Sequence, residues 1–251
     1  MNKASANIRF YKNENGPVIG VTVRPVIEKD GLYFRDLTGD GRLAPYKDWR
    51  NTPAVRAASL AAELSADEKI GMLFVNSWKM GIYQEDRTKV DESGLLNEEI
   101  VEQDESIFNV EKTYGTTYTL KEMGIRHFIL RQNPGPGELA DWINQLNMVA
   151  EGTGHALPVM VLSNSRNEHG EIVFGMNDAA GVFAAWPGTL GIAAAVRGSG
   201  PELIDSFAEC IRREWDAVGM KKGYMYMADV MTDPRWQRSY GTFGEDPGLV
   251  C

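Results

Sequence analysis

A dense group of charged and aromatic side chains lies near the end of the chain, where Asp233-Pro234-Arg235-Trp236-Gln237-Arg238 is followed by Phe243-Gly244-Glu245-Asp246-Pro247. Two arginines, a tryptophan and several carboxylates in one loop suit sugar binding, because an aromatic face stacks on sugar C–H groups and fixed charged donors hold hydroxyls. An Arg–Asp network that merely fixes the loop would have the same composition. The residue types alone leave both interpretations open.

An acidic segment is the second feature that could do chemistry. Between Glu85 and Glu111, ten acidic residues stand against Arg87 and Lys89, so this segment holds −8 of the chain's net charge of −9. Such a charge run is typical of a solvated insertion that covers one face of a fold. A cation site and a lid are the alternatives, and the sequence does not choose between them.

The segment Asp36-Leu37-Thr38-Gly39-Asp40-Gly41-Arg42 resembles the first half of a calcium-binding loop. Oxygen ligands at alternate positions and a glycine at the sixth position suit Ca²⁺. The twelfth position, however, is Lys47, where a bidentate glutamate is expected. This departure favours a tight Asp/Gly turn before Pro45. We therefore predict neither a metal site nor a cofactor.

Predicted helices and strands alternate along the chain and must position these loops. Residues 1–50 have the pattern of short extended pieces joined by turns. Caps and apolar spacing predict helices that begin at Pro53, after Ser65, at Glu138, at Pro201 and at Pro247. Apolar runs predict strands at Arg126–Leu130, Leu157–Leu162 and Tyr224–Val230, with a possible fourth strand at Met72–Val75. The region 163–200 is predicted to be a long loop.

The alternation of strands and helices is typical of a parallel α/β sheet or barrel. An eight-stranded barrel needs roughly 250 residues, and more where it carries insertions, whereas only three clear strands and one possible strand are found here. We therefore predict an incomplete (β/α)8 TIM-type barrel, with an extended segment over 1–50 and a partial barrel domain over 51–251. Since a new helix begins at Pro247, we expect the polypeptide to continue.

Composition excludes several classes of protein. The chain has 251 residues, 43% of them hydrophobic and 24% charged, and its pI is about 5.0, so it is a poor partner for nucleic acid or an anionic membrane surface. Two cysteines, Cys210 and Cys251, cannot build a disulfide scaffold or a Cys-rich zinc site. The start of the chain lacks an apolar signal-peptide core, and the compartment stays open.

Common catalytic motifs are missing from the sequence. It contains no G-x-x-x-x-G-K-[ST] phosphate loop, no G-x-S-x-G nucleophile elbow and no H-E-x-x-H. A complete doubly wound protein that binds a nucleotide therefore lacks the loop that it would need.

The motif near the end of the chain resembles the family 3 glycoside hydrolases, whose best-known members are β-glucosidases. The family pattern is approximately Asp-Pro-Arg-Trp-Gly-Arg and then Tyr-Glu-x-Phe-Gly-Glu-Asp-Pro, and the chain has Asp233–Arg238 and Tyr240–Pro247 in these places. Four further stretches resemble the family in the same order, namely Asp40–Trp49, Leu64–Gly71, Trp142–Leu146 and Trp186–Ala194. The resemblance covers the chain from about residue 36 to its end.

The resemblance implies a retaining glycosidase mechanism. One carboxylate attacks the anomeric carbon, a second carboxylic acid protonates the leaving oxygen, and the two carboxyl groups lie roughly 5–5.5 Å apart. Neither of these groups matches a position in this chain, so both are expected beyond Cys251. A Lys-His pair that binds the sugar in the family is also expected there.

Two sugar-binding positions carry over from the family. Arg238 matches the arginine that hydrogen-bonds hydroxyls of the glycone, and Asn164 aligns with an aspartate that grips its far hydroxyls. An amide in place of a carboxylate loses the charge, so charge-assisted bonds weaken. The local sequence diverges enough that Arg166 or Asn167 could make this bond instead. Trp236 is a weaker candidate for the same subsite.

The motif also departs from the family pattern at two places. Gln237 stands where the family has a glycine, and Gly241 stands where it has a glutamate. These departures concern substrate preference more than membership of the family.

Two functions from different classes follow. The first is hydrolysis of terminal non-reducing β-D-glucosyl or related β-glycosyl residues by the full-length protein, with β-linked oligosaccharides or aryl and alkyl β-glycosides as substrates. This chain would supply part of the glycone subsite, would need the missing C-terminal part, and would be inactive alone. The alternative is a non-catalytic sugar- or partner-binding relative that lacks the catalytic half.

Overall fold

A computed structural model describes residues 8–78, 80–102, 113–130, 132, 134–163, 167, 183–224 and 226–250. Within these ranges no helix has the length and apolar character needed to cross a membrane. The chain divides into two compact units. The first comprises Met1–Asn76, Met80–His127 and Asp141–Val159, and the second comprises Ser77–Lys79, Phe128–Ala140 and Met160–Cys251.

Two antiparallel hairpins form most of the N-terminal segment and confirm the prediction of short extended pieces. Strand β1 (Arg9–Tyr11) pairs with β2 (Ile19–Val21), and β3 (Val26–Lys29) pairs with β4 (Leu32–Arg35). The second hairpin turns at Asp30-Gly31, where both residues have positive φ, 54° and 73°. A two-residue turn with this geometry matches the twist of the strands that it joins.

The first two helices begin where their caps predict. Helix α1 (Pro53–Glu63) starts after Thr52, whose side chain accepts a hydrogen bond from the Val55 amide. Helix α2 (Ala66–Gly71) starts after Ser65 with both bonds of the capping box formed. These bonds satisfy amide groups that a helix start otherwise leaves without partners.

The remaining helices of the first unit enclose its core. They are α3 (Thr116–Lys121) and the larger part of α4 (Pro136–Glu151), with short 3₁₀ helices at Gly81–Tyr83 and Arg87–Lys89. The core contains the fully buried side chains of Phe34, Met80, Leu96, Leu120, Trp142 and Leu146. At the end of α4, the Glu151 carboxylate accepts hydrogen bonds from the Thr22 and Arg24 amides, which ties the N-terminal segment to this helix.

A four-stranded sheet, most of which belongs to the second unit, follows the order of the chain: β5 (Val75–Trp78), β6 (His127–Leu130), β7 (Met160–Ser163) and β8 (Lys222–Gly223). Strands β7 and β8 are parallel, with Leu162 opposite Lys222 and Ser163 opposite Gly223. Helices α5 (Thr189–Ser199) and α6 (Glu202–Val218) lie between these two strands in the sequence. The chain is therefore a mixed α/β protein with a parallel sheet, as predicted.

Strand β5 begins three residues later than predicted. The amide of Met72 bonds back to Glu68, and the amides of Leu73 and Phe74 bond back to Ile70 and Gly71. These bonds close the end of α2, so residues 72–74 cannot join a sheet. The boundaries of β7 also shift, from the predicted Leu157–Leu162 to Met160–Ser163.

The prediction of a continuous loop over 163–200 is wrong, because α5 occupies Thr189–Ser199. Its buried residues, Thr189, Ile192, Ala193 and Val196, recur at helical spacing. Alanine and glycine make up much of this helix. Its buried and exposed faces therefore differ little in hydropathy, and the helical pattern is weak in the sequence. The last helix, α7 (Pro247–Val250), begins at the predicted proline.

The predicted strand Tyr224–Val230 does not form over 226–230. Pairing between β7 and β8 ends at Gly223, and the Tyr224 amide donates one last bond to the Ser163 carbonyl at 2.7 Å. Beyond it, Tyr226 contacts the rings of Phe207 and Phe243. The apolar character of this run therefore reflects packing against other side chains instead of a place in the sheet.

Candidate functional site

The loop that carries the Asp233–Arg238 motif follows β8 and is attached to α5. The Thr189 hydroxyl donates a hydrogen bond of 2.8 Å to the Tyr240 carbonyl, and Arg197 forms an ion pair with Asp246. Thr189 is almost fully buried, so its hydroxyl needs this acceptor. Because α5 was predicted to be part of a loop, neither Thr189 nor Arg197 was among the predicted site residues. The helical spacing of the buried residues from Thr189 onward was the signal that could have found them.

The backbone of the same loop is held internally. Thr242 is fully buried and forms a parallel bridge with Met227. Gly244 has a φ of 104°, which favours glycine, and its carbonyl accepts a hydrogen bond of 2.9 Å from the Met231 amide. The loop therefore holds the 3₁₀ helix Ser239–Gly241, and Arg238 directly before it, on a fixed backbone.

Arg238 is half-buried and incompletely paired. Its Nη2 donates to the Met227 Sδ atom at 3.6 Å, and a thioether sulfur is a weak acceptor. Its Nε is buried and has no hydrogen-bond partner among the described residues. A guanidinium carries five N–H donors. Those of Arg238 are therefore largely unused by the described part of the protein.

Arg235 differs from Arg238 although it lies three residues away. It pairs with Asp233 through Nη2 at 2.5 Å, and its amide also donates to the Asp233 carboxylate at 2.9 Å. These bonds from Arg235 hold the pKa of Asp233 below its ordinary value. The Arg235 side chain is 89% exposed. The Arg–Asp network that fixes the turn is thus present at Arg235 and does not include Arg238.

The other sequence candidates divide into two groups. Trp236 is about one-third exposed and lies between the two arginines in sequence, so part of its ring is available to a ligand. Asn164 and Arg166 lie outside the described residues. Asn167 is described and is fully buried.

The loop that resembles a calcium-binding loop holds a lysine. The Lys47 ammonium lies 2.7 Å from Asp36 Oδ1, 2.6 Å from Thr38 Oγ1 and 2.5 Å from Asp40 Oδ1. The side chain of Lys47 is fully buried. These three oxygens come from the first, third and fifth positions of the loop, which are ligand positions in a calcium loop. The ammonium group thus occupies the place of the metal ion.

Several of the described carboxylates of the acidic segment bond to the protein itself. Glu99 pairs with Lys89 at 2.9 Å, and Asp91 accepts hydrogen bonds from the amides of Leu95 and Leu96. Residues 103–111 of this segment lie outside the described residues. Across the described ranges, no three His, Cys, Asp or Glu side chains form a group that could hold a metal ion.

Known proteins that resemble this chain are β-glucosidases. A periplasmic β-glucosidase/β-xylosidase of Dickeya chrysanthemi is 34% identical over 227 residues, which is 90% of this chain and 31% of that protein. A probable β-glucosidase C of Aspergillus oryzae is 30% identical over 82% of this chain and 28% of its own length. β-Glucosidase C of Emericella nidulans is 29% identical over 78% of this chain and 27% of its own length. No protein-family profile matches the chain.

These matches confirm the resemblance to the family 3 glycoside hydrolases: the chain is a relative of glycosidases over most of its length. It spans less than a third of the length of these relatives.

Proposed function

We propose that this chain supplies part of the glycone subsite of a retaining β-glycosidase, and that a longer polypeptide completes the enzyme. The substrates would be β-linked oligosaccharides and aryl or alkyl β-glycosides. The relatives named β-glucosidase or β-xylosidase support this class of reaction. The observation that carries the proposal is the state of Arg238, whose donors the described residues leave mostly unused.

Arg238 suits the recognition of sugar hydroxyls. Leaving a buried N–H without an acceptor costs about 1–3 kcal/mol, and a hydroxyl pair on a sugar supplies acceptors that fit the planar fork of a guanidinium. Bonds from a charged donor are roughly twice as strong as neutral ones. In the proposed enzyme Arg238 binds glycone hydroxyls, and Trp236 stacks on an apolar face of the sugar. Asn164 and Arg166 complete the subsite in this proposal.

The catalytic carboxylates of the proposed enzyme lie in the continuing polypeptide, beyond Cys251. A retaining mechanism needs a nucleophile and an acid/base group roughly 5–5.5 Å apart. The glycone subsite formed by this chain would hold the anomeric carbon between them. Binding energy from hydroxyls remote from the scissile bond is then available to the transition state.

The same proposal extends to the fold. We infer that β5 to β8 are successive strands of a (β/α)8 barrel, with the segment 1–50 outside it. Two observations support this inference: the strand order follows the chain order, and β7 pairs in parallel with β8. Apolar side chains at the start of β5 and just before it are exposed, namely Leu73, Phe74 and Val75. Further strands of a barrel would cover such an edge.

The proposal is tested by comparing two forms of the protein. The full-length polypeptide encoded by the reading frame that contains this chain is assayed on an aryl β-glucoside, and the 251-residue chain is assayed beside it. We expect hydrolysis by the full-length form, with β-glucose as the first product seen by NMR, and no hydrolysis by the shorter chain.

Three results would contradict the proposal in different ways. Turnover by the 251-residue chain alone would show that its catalytic groups are already present. Release of α-glucose first would exclude a retaining mechanism. A folded full-length protein that binds glucose and hydrolyses no β-glycoside would favour the non-catalytic, sugar-binding alternative.

A further inference from the structure

Asn167 is a fully buried polar residue that lies near the candidates Asn164 and Arg166 in the sequence. It comes four residues after Ser163, which is the last residue of β7 and is also fully buried. In α/β proteins, ligands bind beyond the carboxyl ends of parallel strands. Asn167 therefore lies in the chain segment that leaves β7 on the side where a ligand is expected.

Every polar group of the Asn167 side chain is used. Nδ2 donates hydrogen bonds to Glu214 Oε2 at 2.6 Å and to the Ala184 carbonyl at 3.0 Å. Oδ1 accepts a hydrogen bond of 3.1 Å from the indole Nε1 of Trp215. The Asn167 carbonyl in turn accepts from the Trp186 amide at 2.6 Å. These bonds use both N–H donors and one lone pair of Oδ1, and the side chain is fully buried, so the amide is engaged by the protein and not by a ligand.

The partners of Asn167 belong to two parts of the second unit. Glu214 and Trp215 are on α6, and Ala184 lies in the segment that precedes α5. The other carboxylate oxygen of Glu214 accepts a hydrogen bond of 2.9 Å from the Ala184 amide. The Glu214 carboxylate therefore binds both Asn167 and Ala184. Asn167 and Glu214 thus fasten the chain after β7 and the segment 183–186 to the same face of α6.

A row of aromatic rings leads from the cluster formed by Asn167, Glu214, Trp215 and the segment 183–186 to the loop of Arg238. Trp186 contacts Phe207 at 5.1 Å between ring centroids, Phe207 contacts Tyr226 at 5.8 Å, and Tyr226 contacts Phe243 at 5.6 Å. Phe243 belongs to the same motif loop as Arg238. A displacement of the segment 183–186 would therefore press on the packing that supports this loop.

We propose that Asn167 is a positioning residue for the glycone subsite, acting through its bonds to Glu214 and Trp215 and not through contact with the sugar. The inference rests on the proposed function. The row of aromatic rings from Trp186 to Phe243 connects the contacts of Asn167 to the loop that holds Arg238. Misplacing a binding group by about 1 Å can cost roughly 100-fold in rate.

The chemistry of the cluster requires an amide at position 167. The side chain must donate to Glu214 and accept from Trp215 at the same time, which an amide does and a carboxylate does not. Asn167→Asp would place two carboxylates against each other, and Glu214→Gln would place two amide donors against each other. In the double variant, the amide introduced at position 214 can donate to the carboxylate introduced at position 167, which still accepts from Trp215. The bond from position 167 to the Ala184 carbonyl is not restored, because a carboxylate has no donor.

The test uses the full-length polypeptide and variants in which positions 167 and 214 exchange their roles as hydrogen-bond donor and acceptor. We expect Asn167→Asp and Glu214→Gln each to lower kcat/KM on an aryl β-glucoside roughly 10- to 100-fold, mainly through KM, and to weaken competitive inhibition by glucose. The double variant should recover a measurable part of the loss, because the bond between positions 167 and 214 is restored while the bond to the Ala184 carbonyl is not. Glu209→Gln is the matched control, because Glu209 lies on α6 and pairs with the exposed Arg212 and Arg213, and it should retain the wild-type constants.

Activity is measured well below the melting temperature of each variant, so that only folded protein contributes. The inference is overturned if the single variants keep wild-type KM values, if their activity falls only with the folded fraction, or if the double variant recovers nothing. A folded wild-type protein that hydrolyses no β-glycoside would instead refute the proposed function, and the inference with it.

Discussion

The ammonium group of Lys47 lies where a calcium-binding loop would hold its metal ion. Sequence alone indicated a turn, because a lysine stands at the twelfth position, and it could not show that the lysine folds back among the oxygens of Asp36, Thr38 and Asp40. Burial would lower the pKa of Lys47, but its bonds to both aspartates outweigh burial and raise it. The loop therefore carries its own cation.

Removing this cation should destabilise the protein. Lys47→Met leaves the buried carboxylate of Asp36 without its partner, and breaking a buried pair in this way costs about 3–5 kcal/mol. The free energy of unfolding, measured with urea, checks the loss. The double variant Asp36→Asn/Lys47→Met is the control and should recover at least half of it, since no charge is then left unpaired at position 36. Equal stability of wild type and Lys47→Met would contradict this account.

The same pair predicts a dependence on pH. Burial would raise the pKa of Asp36, but hydrogen bonds from Lys47, Gly41 and Gly39 outweigh burial and lower it. A carboxyl with a lowered folded-state pKa contributes stability that is complete above its unfolded-state pKa of about 3.9 and is lost as the pH falls through the folded-state value. The stability gap between wild type and Asp36→Asn should therefore close below about pH 4. A gap that stays constant from neutral to acid pH would argue against this pairing.

At the scale of elements, local chemistry predicted the starts of helices better than the limits of strands. The caps at Thr52 and Ser65 form as their sequences indicate, because a cap depends on residues close together in the chain. The apolar run after Tyr224 was predicted to be a strand, and residues close together in the chain could not show that this was wrong. Its apolar side chains pack on α6 and on the motif loop, and such packing depends on residues distant in sequence.

Helix α5 was missed for a related reason. Its alanines and glycines give little apolar contrast, and its contacts with the motif loop come from Thr189 and Arg197, which look unremarkable in the sequence. Among the site residues, Arg238 was predicted through the motif, but only the three-dimensional structure shows that Arg235 pairs with Asp233 while Arg238 has no carboxylate partner among the described residues. Which of the two arginines keeps unused donors is a matter of tertiary structure.

The attachment of α5 to the motif loop can be measured. Thr189→Val keeps the shape of the side chain and removes the hydroxyl that donates to the Tyr240 carbonyl, so we expect a loss of about 1–2 kcal/mol in unfolding free energy. Ser206→Ala is the control, because the exposed Ser206 hydroxyl bonds only within α6 and its loss should change stability by less than about 0.5 kcal/mol. Equal effects of the two substitutions would show that the Thr189 bond does not hold the loop.

At the scale of the whole molecule, the chain is a mixed α/β relative of β-glucosidases that spans less than a third of their length. The α/β class with a parallel sheet followed from the alternation of helices and strands and was confirmed. Closure of a barrel remains a proposal, because it depends on strands that would follow β8. In the proposed enzyme, this chain recognises the sugar and the continuing polypeptide breaks the bond.

The comparison of Arg238→Ala with Arg235→Ala in the full-length polypeptide tests the central claim most directly. Loss of a charged, half-buried donor should cost about 1.5–3 kcal/mol of transition-state stabilisation, which is roughly 10- to 150-fold in kcat/KM on an aryl β-glucoside. Arg235 is the matched control, since it is exposed and already paired with Asp233, and its replacement should leave kcat/KM within about twofold. Two folded variants with the same kcat/KM would contradict the assignment of Arg238 to the sugar.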